Sequence, residues 1–516
     1  MGDFSFLLTA DHLENAGQPM NFSLSTTPSA AVGGTTVTGA YTDKSEKNQD
    51  RVVFGANSID DTRQDQVKFK VAYDVTPDIK AAYTLGLWNF DTKNTVQSYI
   101  KDAADNTVYN GQVRFNGKRY DVTGMNPSEA EALHVMQALD VKSNTKGFLD
   151  WQLTLSDYDY QKDLNSASTS LADPYKNRIG RVVDMAGTGW TVFDARTTLR
   201  PLKHEIDIGY HIDHYELVSK TNNTADWSIG NKGQLSAASS GETRTQAFYV
   251  QDKWQITPQW ALISGLRGEY WESIDGRNQA TLGGAFKTTS YQNQAETKLS
   301  PKLSLSFEPN SSWGFRAAAG QAFRFPTVGE LYQQLTQGST LIQNNPDLKP
   351  EQVVSAELTA ERRFASGLMR ASLFNEEKYD ALISQTAITG DAIPFGTGVC
   401  TAQTCSSIQN VGHIRTRGIE LSTQWEDVLI HGLDLLANAT LTHAKVLRNA
   451  ADPSIEGKKP TRIPRTMFKG VASYHQGNNV VYSVAARYSG RQYNNLDNSD
   501  PTLILLVALA SSLLWM

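Results

Sequence analysis

Apolar and polar residues alternate along most of the chain with a period of two, and helical periodicity is almost absent. In one stretch, Val67, Phe69 and Val71 alternate with Lys68 and Lys70. Other clear stretches are residues 149–156, 205–213, 354–359 and 480–488. Because successive side chains of a strand point to opposite faces, this pattern predicts strands with one apolar and one polar face.

Short connections rich in Pro, Gly, Asn or Asp alternate with long polar connections. The long connections are residues 12–65, 91–132, 161–188, 219–241, 273–297, 324–351, 386–410 and 447–463. Outer-membrane barrels show this asymmetry, with short periplasmic turns and longer extracellular loops. We therefore predict an all-β fold, an antiparallel up-and-down transmembrane β-barrel, with about 17 strands in this chain.

Aromatic residues concentrate beside the short connections. They are Phe148, Trp254, Trp260, Trp313, Phe315, Phe364 and Trp425. An aromatic girdle at the periplasmic interface would place them there, although core aromatics near turns would give the same pattern. Their shared location favours the girdle.

The composition is compatible with a membrane barrel despite its low hydropathy. Of the 516 residues, 40% are hydrophobic, and the mean hydropathy is -0.41. Only every second residue of a barrel strand faces lipid, so a hydrophilic average does not exclude a membrane. The net charge of -6 is spread along the chain, and no basic stretch with interleaved aromatics occurs, which argues against a nucleic-acid partner.

The two ends of the sequence depart from this pattern. Residues 1–5 show no export signal, which an outer-membrane protein needs. Residues 502–516 contain an apolar run that is shorter than a spanning helix and does not alternate like a barrel strand. We assign the barrel to residues 1–501 and treat residues 502–516 as an aberrant tail, either a frameshift or assembly artefact or a real apolar tail.

Two cysteines, Cys400 and Cys405, lie close together in the chain. This spacing favours a disulfide that closes a small loop in an oxidising compartment. Two idle thiols or a metal-binding pair are the alternatives. Neither a His nor a further Cys lies nearby in the sequence to complete a tetrahedral metal site.

Three short segments carry more specific information than any strand. Their defining residues are Phe323, Arg324 and Pro326 with Glu330 and Leu331; Asn345, Pro346, Leu348, Lys349, Pro350 and Glu351; and Gly418 with Glu420. The segments resemble the Phe-Arg-Ala-Pro box, the Asn-Pro-x-Leu-Lys-Pro-Glu box and a downstream strand entry of TonB-dependent outer-membrane receptors. Phe325 departs from that family's pattern, because it replaces the usual small residue.

The resemblance implies a receptor that carries a scarce nutrient inward, driven by the TonB-ExbB-ExbD complex. Haem receptors of this family typically carry a His between the two boxes, whereas residues 327–344 contain none. A ferric siderophore is therefore the favoured ligand, as transported cargo and not as a cofactor, and no cofactor is expected. Haem, cobalamin or another nutrient is less favoured. The expected partners are outer-membrane lipid, the iron-siderophore complex and TonB.

The resemblance also implies an incomplete barrel. Members of the family have 22 strands and an N-terminal plug that contacts TonB, and neither the plug nor the last strands has a counterpart in this sequence. We expect a truncated form that does not transport by itself. Open strand edges in lipid would leave backbone groups unpaired, at several kcal/mol each.

The motif residues are predicted to act mainly in structure. The two prolines fix φ, so the loop re-enters its strand at Glu351 in a set direction, and Asn345 is placed to hydrogen-bond its local backbone. If Phe323 and Phe325 face lipid, Arg324 faces the lumen near the outer rim, where it could meet an anionic ligand. Tyr332 is a second candidate ligand contact, by location alone.

Two other functional classes were weighed. A passive porin-like channel is the main alternative, because a barrel without a plug has a wide polar lumen. An enzyme is disfavoured, because the sequence contains no Gly-x-Ser-x-Gly, Walker or His-Glu-x-x-His motif. His211 and His214 resemble a metal pair, but a separation of three puts them on opposite faces of a strand. Asp207, Asp213 and Glu205 would be lumen carboxylates near His211.

Overall fold

The computed structural model describes residues 3–25, 28, 33–44, 50–282, 285–337, 340–388, 404–477, 480–498 and 501–513. Its first strands are β1 (Phe4–Asn15), β2 (Pro19–Ser25), β3 (Thr35–Thr36), β4 (Tyr41–Lys44), β5 (Asp50–Thr76), β6 (Ile79–Ser98), β7 (Gly111–Phe115), β8 (Lys118–Val122), β9 (Ser128–Ser143), β10 (Leu149–Ser168), β11 (Gly180–Asp184), β12 (Gly189–Leu199), β13 (His204–Thr224) and β14 (Leu235–Gln255).

The second half of the chain continues in the same way. Its strands are β15 (Trp260–Leu282), β16 (Ala285–Ser290), β17 (Gln294–Asn310), β18 (Trp313–Arg324), β19 (Leu335–Gln337), β20 (Thr340–Gln343), β21 (Glu351–Phe364), β22 (Gly367–Ile388), β23 (Thr404–Trp425), β24 (Leu433–Arg448), β25 (Thr466–Gln476), β26 (Val480–Tyr493) and β27 (Pro501–Leu513). One short α-helix, α1 (Val328–Tyr332), and two 3-10 turns, Trp227–Ile229 and Pro453–Ile455, complete the described elements. In the described part of the chain, none of the helices has both the length and the apolar character needed to cross a membrane.

The long strands form one antiparallel meander, which confirms the predicted up-and-down architecture. Each long strand hydrogen-bonds to the next one along the chain, in the order β1, β5, β6, β9, β10, β12, β13, β14, β15, β17, β18, β21, β22, β23, β24, β25, β26 and β27. The strands up to β26 correspond to the 17 predicted from alternation.

The alternation places apolar side chains on an exposed outward face. Leu153 and Leu155 of β10 are 43% and 47% exposed, while the intervening Thr154 hydroxyl donates to Asp140 Oδ2 at 2.9 Å on the other face. Girdle aromatics such as Trp260 and Trp425 lie at the turn ends of their strands. Exposed apolar side chains over such an area fit a surface that contacts lipid. We call this the outward face and the opposite one the inward face.

The strands are much longer than the sequence pattern predicted. Most of the predicted loop at residues 12–65 is strand, because β1 continues to Asn15 and β5 begins at Asp50. Polar residues such as Ser58–Asp65 lack alternation, yet most of them pair with β1, β2 or β6. Outside a membrane both faces of a strand contact water, so backbone pairing persists without an apolar face.

A small packed unit fills the first two long connections. Strands β3, β7 and β8 form a separate three-stranded sheet. Its core includes Phe54, Ile100, Val113, Val122 and Met125, all fully buried. The first two connections therefore fold as one body on the ends of β5 and β6.

Residues 502–513 of the predicted aberrant tail lie in strand β27. β27 pairs antiparallel with β26 from Val480 opposite Leu513 to Tyr493 opposite Pro501. Ladder pairing uses backbone groups and does not require alternating side chains, so this apolar sequence can form a strand. The assignment of residues 502–516 to an aberrant tail, and of their sequence to a frameshift, stays a prediction.

The two ends of the meander have one neighbour each. β1 pairs with β5, β27 pairs with β26, and within the described residues no pairing joins β1 to β27. Every residue of β1 is exposed. The described sheet therefore has two open edges, one at β1 and one at β27.

The outward face gives a test of the strand register. A Leu153→Arg variant should be about 2–4 kcal/mol less stable in lipid vesicles, because it places a charge near the middle of the apolar band. Thr154→Arg is the matched control, since its side chain points inward toward Asp140. The measurement is denaturant unfolding of the reconstituted protein. Equal losses for the two variants would contradict the assigned faces.

Candidate functional site

The first motif segment ends β18 and starts α1 with a capping box. The Thr327 hydroxyl accepts from the Glu330 N–H at 3.3 Å, and the Glu330 carboxylate accepts from the Thr327 N–H at 2.8 Å. The same carboxylate pairs with the guanidinium of Arg324. Arg324 is half-exposed with a local counter-ion, and its guanidinium helps to hold the Glu330 carboxylate that caps the start of α1.

α1 buries its apolar side chains in a cluster at the end of the barrel. The mouth cluster consists of Leu217, Trp271, Val328, Leu331, Tyr332 and Leu348. These residues come from β13, β15, α1 and the second motif segment, so the cluster ties together elements that are distant in sequence. α1 thereby contacts β13, β14 and β15, although it follows β18 in the chain.

Tyr332 is buried in the mouth cluster. It is 1% exposed, and its ring lies against the backbone of Gly241 and Gly276 and 5.6 Å from the ring of Tyr291. A Cβ on Gly276 would lie 2.2 Å from the Tyr332 ring. Burial raises the pKa of the Tyr332 phenol above its ordinary value. α1 thus turns this side chain into the cluster, and the ligand contact at Tyr332 stays a prediction.

Phe325 also departs from its predicted position. β18 ends at Arg324, so strand alternation does not extend to Phe325. Its ring stacks on Trp271 with centroids 5.6 Å apart, at the border of the mouth cluster. The condition that Phe325 faces lipid, on which the lumen position of Arg324 was argued, is therefore not met. The unusual Phe at this motif position fills space beside Trp271.

The second motif segment is held by the strand entry of the third. Asn410 Oδ1 accepts from the Lys349 N–H at 2.9 Å, and Asn410 Nδ2 donates to Lys349 O at 2.9 Å and Asp380 O at 2.8 Å. Asn345 Oδ1 accepts from the Asp347 N–H at 3.0 Å, which confirms the predicted local hydrogen bond. Asn345 Nδ2 also donates to Gln409 Oε1 at 2.8 Å.

The remaining motif residues have structural contacts as well. Leu348 is buried in the mouth cluster, and Pro346 O accepts from Gln294 Nε2 at 2.7 Å. Pro350 is buried, and Glu351 Oε2 accepts from the Leu382 N–H at 2.9 Å. The three motif segments therefore meet in one hydrogen-bonded unit at the end of the barrel.

The third segment continues down β23. A Cβ on Gly418 would lie 2.3 Å from Leu441 O and 2.6 Å from the Phe374 ring, so this position requires glycine. Glu420 Oε1 accepts from Asn438 Nδ2 at 3.1 Å. Both residues act in strand packing.

An aromatic band lines the inward face below the mouth, and sequence reasoning missed it. Its members come from five neighbouring strands and are Trp88, Phe90, His134, Tyr158, Tyr160, Trp190 and Tyr215. The Tyr158 and Trp190 rings stack 4.4 Å apart with planes 5° from parallel, and the His134 and Tyr160 rings stack 3.8 Å apart. The signal was available as aromatics two residues apart on the polar face.

Polar groups are built into this band. His134 Nε2 lies 3.0 Å from Asp163 Oδ2, and His134 Nδ1 lies 3.0 Å from the Tyr158 hydroxyl. His134 itself is buried, while Tyr215 is 37% exposed. The band thus offers ring faces together with hydroxyl and carboxylate oxygens. This combination suits an organic molecule with flat or apolar parts and polar edges.

The histidine pair does not form a metal site. His211 Nδ1 lies 2.7 Å from Asp194 and His211 Nε2 lies 2.9 Å from Asp213, so the two carboxylates lie on opposite sides of the ring. His214 contacts Glu242 instead, at 2.9 Å. Among the described residues, no group of three or more His, Cys, Asp or Glu could hold a metal ion.

The predicted neighbours of His211 divide into two groups. Asp213 does contact His211, as expected. Asp207 accepts from the Thr198 hydroxyl and Glu205 pairs with Arg200 at 3.3 Å, so both have other partners.

Only one of the two cysteines lies within the described residues. Cys405 is disulfide-bonded and buried. Cys400 lies outside the described residues, so the pairing of Cys400 with Cys405 stays a prediction.

The fold and the motif contacts agree with a known family. The family described as TonB dependent receptor-like, beta-barrel, matches residues 13–511. The chain belongs to this family. As a barrel of this family it lies in the bacterial outer membrane, and membership of a receptor family agrees with the prediction that it is not an enzyme.

Individual relatives of the receptor barrel are distant. An uncharacterized TonB-dependent receptor of Haemophilus influenzae is 27% identical over 256 residues, which cover 48% of this chain and 64% of that protein. The ferric yersiniabactin uptake receptor FyuA of Yersinia pestis superposes with a TM-score of 0.60 at 13% identity, over 99% of this chain and 71% of that one. The copper transporter OprC gives 0.62 at 14% identity, over 98% and 67%. The match to the Haemophilus influenzae receptor thus covers less than two thirds of the length of that protein.

The hydrogen bonds of Asn410 predict how the mouth is held. Asn410→Ala should loosen the second motif segment, because three hydrogen bonds to backbone groups are lost, at about 1–3 kcal/mol. Amide hydrogen exchange in residues 345–351 should accelerate correspondingly. Asn438→Ala removes one side-chain hydrogen bond from the neighbouring strand and should leave that exchange unchanged. If exchange in residues 345–351 is unchanged in both variants, the side chain of Asn410 does not hold the second motif segment.

Proposed function

We propose that this chain is the barrel of an outer-membrane receptor for an iron complex, with a ferric siderophore as cargo. The observation that carries the proposal is the aromatic band on the inward face below the mouth. Stacked rings beside hydroxyl and carboxylate groups would hold an organic chelate by its apolar parts and by its polar edges. The cargo is a transported ligand and not a cofactor.

Three further observations support an iron chelate over haem. FyuA, which shares the fold, is a ferric yersiniabactin receptor. The segment between the two motif boxes, residues 327–344, contains no His that could bind haem iron. His134 is engaged by Asp163 and Tyr158 through both ring nitrogens, so it offers no free nitrogen to an iron.

Coupling to TonB-ExbB-ExbD is part of the proposal. By the family resemblance, that contact is made by a plug and not by the barrel strands. The strands described here would supply the wall, the mouth and the ligand-contacting band. Arg324 is not needed as an anion contact in this scheme, because Glu330 already neutralises its charge.

Uptake of labelled cargo tests the proposal directly. Cells that express the full-length gene, and lack other iron receptors, should accumulate radioactive iron from at least one ferric siderophore in a panel of structural classes. Deletion of tonB should abolish this accumulation. Copper uptake without siderophore uptake would favour an OprC-like cargo, and uptake that survives loss of TonB would favour a passive channel.

The aromatic band gives a second test. Trp190→Ala should weaken siderophore binding to the receptor about tenfold, because a buried aromatic contact of this kind contributes on the order of 1.4 kcal/mol. Trp254→Ala is the matched control, since Trp254 stacks on His204 at the turn end of β14. Binding is measured by quenching of intrinsic fluorescence. Equal affinities for both variants would contradict the assigned binding surface.

A further inference from the structure

A cavity bordered by β17, β18 and β21–β24 opens on the outward face. It has a volume of about 970 Å³. Its apolar wall includes Leu358, Leu373, Ile419 and Leu441, which lie directly opposite one another on four successive strands and are 42–58% exposed. Small residues of β18 such as Ala317 form its floor. A concave apolar surface in this position would face acyl chains.

One end of this groove is basic. Arg417, His443 and Arg465 line it. The strand register places Arg417 directly opposite His443 and Arg415 directly opposite Lys445. Cations that face each other across a strand pair destabilise it unless an anion lies between them.

The described side chains do not supply enough anions. Glu377 contacts Arg415 and, at 2.7 Å, His413. Within the described residues, no ion pair involves Arg417, Lys445 or Arg465, whereas each of these side chains is exposed. The basic end of the groove therefore carries excess positive charge.

Other outward basic residues are paired within the protein. On β14 and its neighbours, Arg244 pairs with Glu272, and His214 lies 2.9 Å from Glu242. There the protein provides its own carboxylates, whereas none is paired with Arg417, Lys445 or Arg465 among the described residues.

The height of the basic residues matches a headgroup region. Arg417 and Arg415 lie 8 and 10 residues before Trp425, which ends β23 at the short periplasmic turn. A barrel strand needs about 9–11 residues to cross the apolar band. The cations therefore lie where the apolar band meets the outer headgroups, directly above the groove.

We propose that this groove binds one phosphorylated acyl lipid of the outer leaflet. Arg417, Lys445 and Arg465 would contact its phosphate, and an acyl chain would lie along Leu358, Leu373, Ile419 and Leu441. The phosphate would supply an anion for three cations that have no carboxylate partner among the described residues. The inference rests on the membrane location and the outward face, and it is independent of the cargo.

Lipid binding to the protein purified from outer membranes in detergent tests this site. Native mass spectrometry would compare diphosphorylated lipid A with zwitterionic phosphatidylethanolamine as added probes. The protein should retain lipid A preferentially. The triple variant Arg417→Gln, Lys445→Gln, Arg465→Gln should bind lipid A about a hundredfold more weakly, because each cation near an anionic lipid contributes about a factor of five.

A second triple variant controls for net charge. Lys68→Gln, Lys70→Gln, Lys302→Gln removes equal charge from inward-pointing positions next to outward Val67, Phe69 and Leu303, and should retain lipid A like the unaltered protein. Arg417→Lys keeps the charge and should also retain it. Both triple variants should match the unaltered protein in circular dichroism, so that misfolding is recognised.

Three results would overturn the proposal. Equal retention of the two lipids would mean that the groove accepts any acyl chain. Undiminished lipid A binding by a folded first triple variant would mean that the cations do not hold the phosphate. A mass of two protein copies that disappears in that variant would identify a second copy of the chain as the occupant.

Discussion

Backbone hydrogen bonding between neighbouring strands is the constraint on which the whole receptor barrel depends. The apolar core of a membrane offers no water to an unpaired N–H or C=O, so a spanning strand must be paired along its length. The continuous meander from β1 to β27 meets this requirement at every internal strand. Its register then decides the environment of each side chain, since a shift of one residue exchanges the inward and outward faces.

Much of this architecture could be predicted from the sequence, because period-two alternation is a local property. Residues such as Leu153 and Thr154 report their faces without knowledge of any neighbour. The motif segments identified the family for a related reason, since residue types such as the prolines are set by the local backbone geometry. Strand length could not be predicted beyond the point where the alternation of apolar and polar residues ends. Beyond the lipid both faces are wet, and only pairing with a partner strand extends β5 to Asp50.

The candidate site could be predicted only in part, because its contacts join distant parts of the chain. Tyr332 lies beside Gly241 and Gly276, which belong to other strands, so no local pattern reveals that it is buried. The sequence alone did not reveal that Arg324 pairs with Glu330, and its role as an anion contact stays a prediction. The aromatic band could not be predicted for the same reason, since only the strand register shows that Trp190 lies beside Tyr158.

The length of β5 has a consequence for access to the barrel. Its 27 residues far exceed the 9–11 that a crossing requires, so roughly 50 Å of strand, measured along its own direction, lies outside the apolar band. With the small sheet packed on its end, this extension adds to the wall that the other long strands also build above the bilayer. A molecule that approaches this wall meets protein well before it meets lipid. The first selection by size would therefore occur in a vestibule outside the membrane.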